Sequence, residues 1–356
     1  MSSRQAQNTG TREVRDAHRF DTDRLEDYMR SHVESFQGPL EVRQFKGGQS
    51  NPTYLLTAPS GRYVMRRKPP GRLLKSAHAV DREFRVISAL YAADFPVPRP
   101  LALCKDEEVV GTMFYIMEFV EGRIFWDLDL QACETEERAA IYGNAHQVIA
   151  DLHSFDVARI GLADYGKPGN YFERQISRWT GQYQASETGK IDEMDRLIAW
   201  LPDHIPGDES ASVVHGDYRL DNMVFHPTEP RVIAVLDWEL STIGHPLGDF
   251  TYHQLSGQMP EIGIGSTGLA GKDLDALGIP AEDDYVSMYC ERTGRPDGIS
   301  NRNFYSAYNF FRLAAILQGI AGRVRDGTAA SAHAAQAGQA VLPLARIGWQ
   351  FAEQAG

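Results

Sequence analysis

The chain has 356 residues, 42% hydrophobic and 24% charged, which excludes a disordered chain and allows two domain-sized units or one large two-part unit. A net charge of -12 argues against bulk nucleic-acid binding, and no apolar run reaches the ~18 residues of a membrane span. The polar stretch from Met1 to Asp21 lacks the apolar segment of a secretory signal, and Cys104, Cys133 and Cys290 are too scattered for a disulfide framework or a CxxC metal pair, so a reduced, cytoplasmic protein is expected.

Residues 1–20 read as a disordered tail, followed by a helix over residues 23–34. From residue 40 to 66 the pattern is strand, glycine turn, strand, turn, strand; the turns are Gly47-Gly48-Gln49-Ser50-Asn51 and Pro59-Ser60-Gly61. Ser76 is placed to cap a helix whose buried face is expected to be Val80, Phe84, Ile87 and Tyr91. Proline-rich residues 95–100 end it. Strands are expected near residues 101–104 and 112–119, with Lys105-Asp106-Glu107 turning between them. The first part is therefore a five-stranded antiparallel sheet with one further helix.

After Glu121-Gly122 the pattern becomes helical. Ile141, Ala145, Val148, Ile149 and Leu152 mark one long helix; others are expected over residues 174–182, 193–201, 304–324 and 328–351. The boundary is drawn at residues 120–122, with a small lobe over 21–120 and a larger one over 121–356. Residues 1–120 hold 18 basic and 15 acidic side chains, and the rest hold 18 and 33. That asymmetry fits either different partners for the two parts or mere surface solubility.

The chemistry lies in Val213-Val214-His215-Gly216-Asp217-Tyr218-Arg219-Leu220-Asp221-Asn222 and in Leu236-Asp237-Trp238-Glu239. Residues 222–226 and 231–236 read as a hairpin, which makes Asn222 and Asp237 cross-strand neighbours at its open end. An amide oxygen and a carboxylate there suit a hard cation such as Mg²⁺. Asp217, in the loop feeding the hairpin, stands where a base accepting a hydroxyl proton is needed. Arg219 supplies positive charge for a phosphoryl group in transfer, or else pairs with Asp221.

His215-Gly216-Asp217 with Asn222, followed by Leu236-Asp237-Trp238-Glu239, resembles the aminoglycoside phosphotransferase and choline kinase branch of the kinase-like fold. The resemblance implies a bilobal α+β protein, with an antiparallel-sheet N-lobe and a mainly helical C-lobe. It implies ATP as donor, Asp217 as catalytic base, and Asn222 and Asp237 as holders of Mg²⁺. Gly47, Gly48 and Ser50 fall where the phosphate-covering loop lies, and Arg66 falls at the strand end where protein kinases carry a lysine, with Glu83 as its ion-pair partner. Lys68, two residues on, competes with Arg66 for the phosphates. Tyr115-Ile116-Met117-Glu118-Phe119-Val120 resembles the hinge; the backbone of Glu118 and Val120 would bond adenine, with Met117 behind it. Asp249 resembles the second Asp of the family's D-P-x-x-D segment and is expected to brace the catalytic loop; His245 replaces the first.

Arg66-Arg67-Lys68-Pro69-Pro70-Gly71 and Ala77-His78-Ala79-Val80-Asp81-Arg82-Glu83 are similar to the kinase-like domains found beside, or fused to, acyl-CoA dehydrogenases. That resemblance implies phosphorylation of a small-molecule hydroxyl, on a hydroxyacyl compound such as 4-hydroxyacyl-CoA. An aminoglycoside-type kinase acting on a cationic substrate and a silent ATP-binding pseudokinase remain alternatives. His215, His226, His245 and His253 lack metal spacing; His215 is expected to brace the loop. Tyr305, Tyr308, Phe310 and Phe311 are expected in helix core or lining a substrate pocket.

Overall fold

The computed structural model describes residues 3–47, 51–71, 78–167, 169–261, 268–327 and 334–355. The chain divides into two compact units. The first comprises Met1–Asp127, Ala158–Leu162 and Arg219–Ser241; the second comprises Leu128–Val157, Ala163–Tyr218 and Thr242–Gly356.

The first unit is built on an antiparallel sheet with six strands among the described residues. These are β1 (Thr11–Arg12), β2 (Glu41–Phe45), β3 (Thr53–Ala58), β4 (Gly61–Arg67), β5 (Pro100–Cys104) and β6 (Phe114–Glu118), in the order β1-β2-β3-β4-β6-β5. Alternation sorts their side chains to two faces. Tyr54, Leu56, Met65, Phe114 and Ile116 pack with Leu25, Met29 and Val33 of the helical segment begun by α2 (Thr22–His32). Arg66 and its cross-strand partner Tyr115 therefore fall on the opposite face, toward α3 (Val80–Ala92).

Two expectations change here. Residues 3–20 are not a structureless tail: α1 (Ser3–Asn8), β1 and a 3-10 turn Asp16–His18 occupy them. Polar backbone pairing holds this segment, which hydrophobic patterning does not reveal. Lys46 N–H bonds Gly10 O at 3.1 Å, and Arg67 Nη2 and Tyr54 Oη both donate to His18 O, at 3.0 and 3.1 Å. On α3, the buried side chains are Val80, Glu83, Val86, Ile87 and Leu90, while Tyr91 is 44% exposed. Glu83 is drawn inward by Arg66, which turns the expected face by about one position.

The hairpin β8 (Met223–Phe225) and β9 (Val232–Val235) belongs to the first unit, so the division differs from a single cut at residue 121. Arg123 and Phe225 exchange backbone bonds of 2.8 Å each, and Val235 N–H donates to Pro96 O at 2.8 Å. Gly122 permits this: a Cβ there would stand 2.2 Å from Phe225 O.

In the second unit, β7 (Ser212–Val214) pairs with β10 (Thr242–Gly244), and among the described residues its other regular elements are helices. In the first unit, α4 (Glu107–Val110) lies between β5 and β6 in sequence. The second unit's helices are α5 (Thr135–His153), α6 (Tyr171–Ser186), α7 (Asp192–Trp200), α8 (Pro246–Gln258), α9 (Leu274–Leu277), α10 (Glu282–Thr293), α11 (Arg302–Arg325) and α12 (Ala334–Ala355). Tyr305, Tyr308, Phe310 and Phe311 of α11 are all core, and the rings of Phe304, Tyr305 and Tyr308 close on Phe172 at 5.0–5.5 Å. No described helix is long and apolar enough to cross a membrane. All three cysteines are free and buried.

Candidate active site

In the first unit, β4 ends by delivering Arg66 to a cluster of acids. Arg66 Nε lies 2.8 Å from Glu83 Oε2, and Nη2 lies 2.5 Å from Asp237 Oδ1 and 3.6 Å from Glu239 Oε2. Burial alone would lower the pKa of this guanidinium, but Asp237 and then Glu83 outweigh it and raise it. Burial pushes Glu83 up to about 7 against the pull of Arg66, with Asp237 and Glu239 repelling its charge. Tyr115 Oη donates to Glu83 Oε2 at 3.1 Å and Asn51 Nδ2 to Oε1 at 2.9 Å. Asn51, fully buried, also reaches Glu239 Oε2 at 3.4 Å and accepts from His78 Nδ1 at 2.9 Å.

Strand alternation separates Arg67 from Arg66. Arg67 turns to the other face, donates to Val110 O and His18 O, and lies over the rings of Phe20 and Tyr54. Lys68 follows the end of β4; its N–H donates to Met113 O at 3.0 Å, and its carbonyl accepts from Thr112 Oγ1 at 2.9 Å.

Asp237 adopts φ 62°, ψ 63°, a left-handed conformation unusual outside glycine. The next residue anchors it: Trp238, 1% exposed, donates Nε1–H to Val235 O at 3.0 Å. The register corrects the expected neighbour of Asn222. Met223 pairs with Val235, and Leu236 N–H donates to Asn222 O at 2.8 Å, so Leu236 rather than Asp237 faces Asn222. Both still stand at the hairpin's open end.

An amide oxygen and a carboxylate are the donors that Mg²⁺ prefers. Around Arg66, one fixed positive charge stands among as many as three carboxylates, which leaves a charge deficit that a divalent cation would fill. Among the described residues, no group of three His, Cys, Asp or Glu could hold a metal by itself. A cation at Asn222 and Asp237 would thus draw its remaining ligands from phosphate and water.

Arg219 Nη2 lies 2.5 Å from Asp221 Oδ2, the pairing that competed with its catalytic reading. Met117 is buried on β6, on the face of Arg66 and Tyr115's flanking pair Val64. Tyr63 and Glu118 oppose each other without exchanging bonds: Phe119 N–H goes to Arg62 O, and Glu118 N–H goes to Arg99 O at 2.9 Å. Val120 follows in the loop after β6. A Cβ on Gly47 would make only ordinary contact, 3.5 Å from Trp126, so nothing steric demands glycine there. Gly48, Ser50 and Ser76 lie outside the described residues, as do residues 328–333 of the last expected helix.

In the second unit, β7 leads into residues 215–218, and α8 holds that loop. Asp249 accepts N–H bonds from His215 at 2.7 Å and Gly216 at 2.8 Å. Gly216 has φ +82°, which lets successive amides converge on one carboxylate. Burial pushes Asp249 up, but His153 and the His215 amide outweigh it and hold its pKa below the usual range. His215, fully buried, accepts the Asp217 N–H on Nδ1 at 3.1 Å, the bracing expected of it. Three residues after Asp249, Tyr252 Oη donates to Asp217 Oδ1 at 2.7 Å; one further, His253 Nδ1 donates to Tyr218 O at 3.2 Å. Sequence reasoning missed Asn51, His78, Glu239, Tyr252 and Arg312. The i+3 and i+4 spacing of Tyr252 and His253 from Asp249 was the readable signal, once residues 246–258 are seen as helix.

Residues 41–270 match the model of the phosphotransferase enzyme family. The chain is 45% identical over 347 residues to mouse acyl-CoA dehydrogenase family member 10, covering 97% of this chain and 32% of that protein. It spans between about a third and a half of the first curated relatives it matches. Among solved structures, a Ralstonia eutropha protein described as a candidate aminoglycoside phosphotransferase superposes with TM-score 0.86 and 55% identity, over 95% of this chain and 100% of that one. A thermostable mutant of aminoglycoside phosphotransferase APH(4)-Ia, in a ternary complex with ADP and hygromycin B, superposes with TM-score 0.56 and 15% identity, over 91% and 98%.

Proposed function

The chain belongs to the phosphotransferase enzyme family, with its kinase-like α+β fold and its nucleotide-dependent chemistry on small molecules, and on that premise we propose that it moves the γ-phosphoryl group of ATP to a hydroxyl of a hydroxyacyl compound such as 4-hydroxyacyl-CoA. The observation that carries the kinase reading is the Arg66 cluster: a buried strand-end arginine shared by Glu83 of α3 and Asp237 at the hairpin end.

Asp217 receives the acceptor hydroxyl in a hydrogen bond, orients it and takes its proton as the new O–P bond forms and the bridging bond from the γ-phosphorus to ADP breaks. Asn222 and Asp237 hold Mg²⁺, which when bound neutralises charge on the β- and γ-phosphates. Arg66, held by Glu83, steadies the phosphates. Arg219 balances charge beside Asp221. The backbone of Glu118 and Val120 takes adenine against Met117, and the loop containing Gly47, Gly48 and Ser50 covers the phosphates. Because the transition state is loose, most of the rate comes from positioning and electrostatics rather than covalent help.

The acyl acceptor is supported by the relatives named as acyl-CoA dehydrogenase family members, which align over 97% of this chain. A second reading, a cationic aminoglycoside acceptor, draws on the description of the Ralstonia protein and on the excess acid after residue 120. The test is a panel of hydroxy acids, hydroxyacyl-CoAs, aminoglycosides and choline with ATP and Mg²⁺, read by mass spectrometry for a phosphorylated product. A hydroxyacyl phosphate that disappears with Asp217→Asn is the expected outcome. A phosphorylated aminoglycoside instead overturns the acceptor, and ATP bound without product or hydrolysis overturns the kinase reading.

A further inference from the structure

The carboxylate of Asp217 is set by a layer of side chains behind it. Tyr252, on α8, is buried and donates its hydroxyl to Oδ1 at 2.7 Å. Arg312, on α11 and only 7% exposed, lies over the Tyr252 ring with its guanidinium carbon 4.8 Å from the centroid. The same guanidinium donates from Nη2 to Gly216 O at 2.5 Å, one residue before Asp217. Three residues earlier on α11, Asn309 Nδ2 donates to Gly248 O at 2.9 Å and so fixes the start of α8. The two helices are thereby locked in register, and both hold the loop.

A neutral phenol is a suitable partner for this carboxylate. It donates one hydrogen bond, brings no charge, and cannot compete for the proton at working pH. With Oδ1 bonded by Tyr252, the carboxylate is held to one rotamer. An unheld aspartate would divide its time among rotamers, and catalysis by positioning loses rate steeply with small misplacements. The ring in turn cannot swing away, because Arg312 covers it.

We propose that Tyr252 is a positioning residue for Asp217, holding one carboxylate oxygen so that the other meets the acceptor hydroxyl, and that Arg312 locks Tyr252 and the loop backbone in that arrangement. This rests on the reading of Asp217 as the hydroxyl-orienting base. The groups facing Asp217 from the packed elements are Tyr252 of α8, Arg312 of α11, and His215 in its own loop, whose Nδ1 takes the Asp217 amide.

The test compares wild type, Tyr252→Phe and Asp217→Asn in full-length protein. Tyr252→Phe keeps the ring under Arg312 and removes only the donor. Carboxyl-carbon NMR of labelled aspartate, with the Asp217 signal assigned by its loss in Asp217→Asn, gives a readout that needs no acceptor. Removing a hydrogen bond to the charged form raises a carboxylate's pKa, so the Asp217 titration should move up by about one pH unit in Tyr252→Phe. Turnover of MgATP, with water or the panel's acceptor, should fall about ten- to a hundredfold in kcat, with KM for MgATP unchanged. An Asp217 titration that does not move overturns the proposal, as does wild-type kcat in Tyr252→Phe. If Asp217→Asn itself turns over normally, the base assignment fails instead, and the NMR shift separates the two failures. Arg312→Lys, retaining the charge, should show a smaller loss of kcat in the same direction.

Discussion

Arg66 and Asp237, 171 residues apart in sequence, meet at 2.5 Å between Nη2 and Oδ1. The same guanidinium faces Glu83, which is 1% exposed. One cation thus connects a strand end, a helix and the turn after a hairpin, and it engages the proposed metal carboxylate.

Removing that cation should therefore be costly in two ways. Arg66→Met leaves Glu83 buried without its ion pair and should destabilise the protein by about 3 kcal/mol in urea unfolding. Arg66→Lys keeps the charge but loses the fork, and should raise KM for MgATP by about tenfold with less effect on stability.

Metal dependence should pass through Asp237. Chelating Mg²⁺ should weaken ATP binding to the wild type by about tenfold in calorimetric titration, from the loss of phosphate charge neutralisation. Asp237→Ala should bind ATP weakly with and without Mg²⁺. A mutant retaining the full Mg²⁺ effect would move the metal elsewhere.

Gly122 should tolerate no side chain. A Cβ 2.2 Å from Phe225 O and 2.6 Å from Val224 meets backbone that the Arg123–Phe225 pairing holds in place. Gly122→Ala should lower stability by about 2 kcal/mol or more. Gly47→Ala, with a nearest contact of 3.5 Å, should be nearly neutral for folding.

Acid should weaken the second unit through buried neutral histidines. Burial brings His253 down to about 4, against the partial pull of its bond to Tyr218 O and of Asp249. His245 falls to about 4 for the same first reason. A histidine with a lowered folded pKa contributes stability that is whole above its unfolded value near 6.5 and is lost as pH falls toward the folded value. Glu83, raised to about 7, acts in the opposite sense, so the contribution is best isolated by difference. Relative to His253→Asn, the wild type should lose about 3 kcal/mol between pH 7 and pH 4 in denaturant unfolding. A constant difference across that range would contradict the neutral buried state.

Much of this protein is legible along the chain. Alternation marked β2 to β6, helical spacing marked the long helices, and His215 to Asn222 with Leu236 to Glu239 marked the chemistry, because those signals are local and their periods differ. The partner of Arg66 was also readable, through the family resemblance that placed Glu83 beside it. What the chain alone did not decide was which atoms meet. The capture of residues 3–20 rests on polar bonds to backbone, from Lys46 N–H and from the side chains of Arg67 and Tyr54, whose partners lie far off in sequence. The inward turn of Glu83, the one-residue offset of Asn222 from Asp237, and the separation of Arg67 from Arg66 follow from strand register and alternation. The hold of Tyr252 and Arg312 on the Asp217 loop depends on two helices separated by about fifty residues being packed in one register, and only close packing of the folded chain sets that.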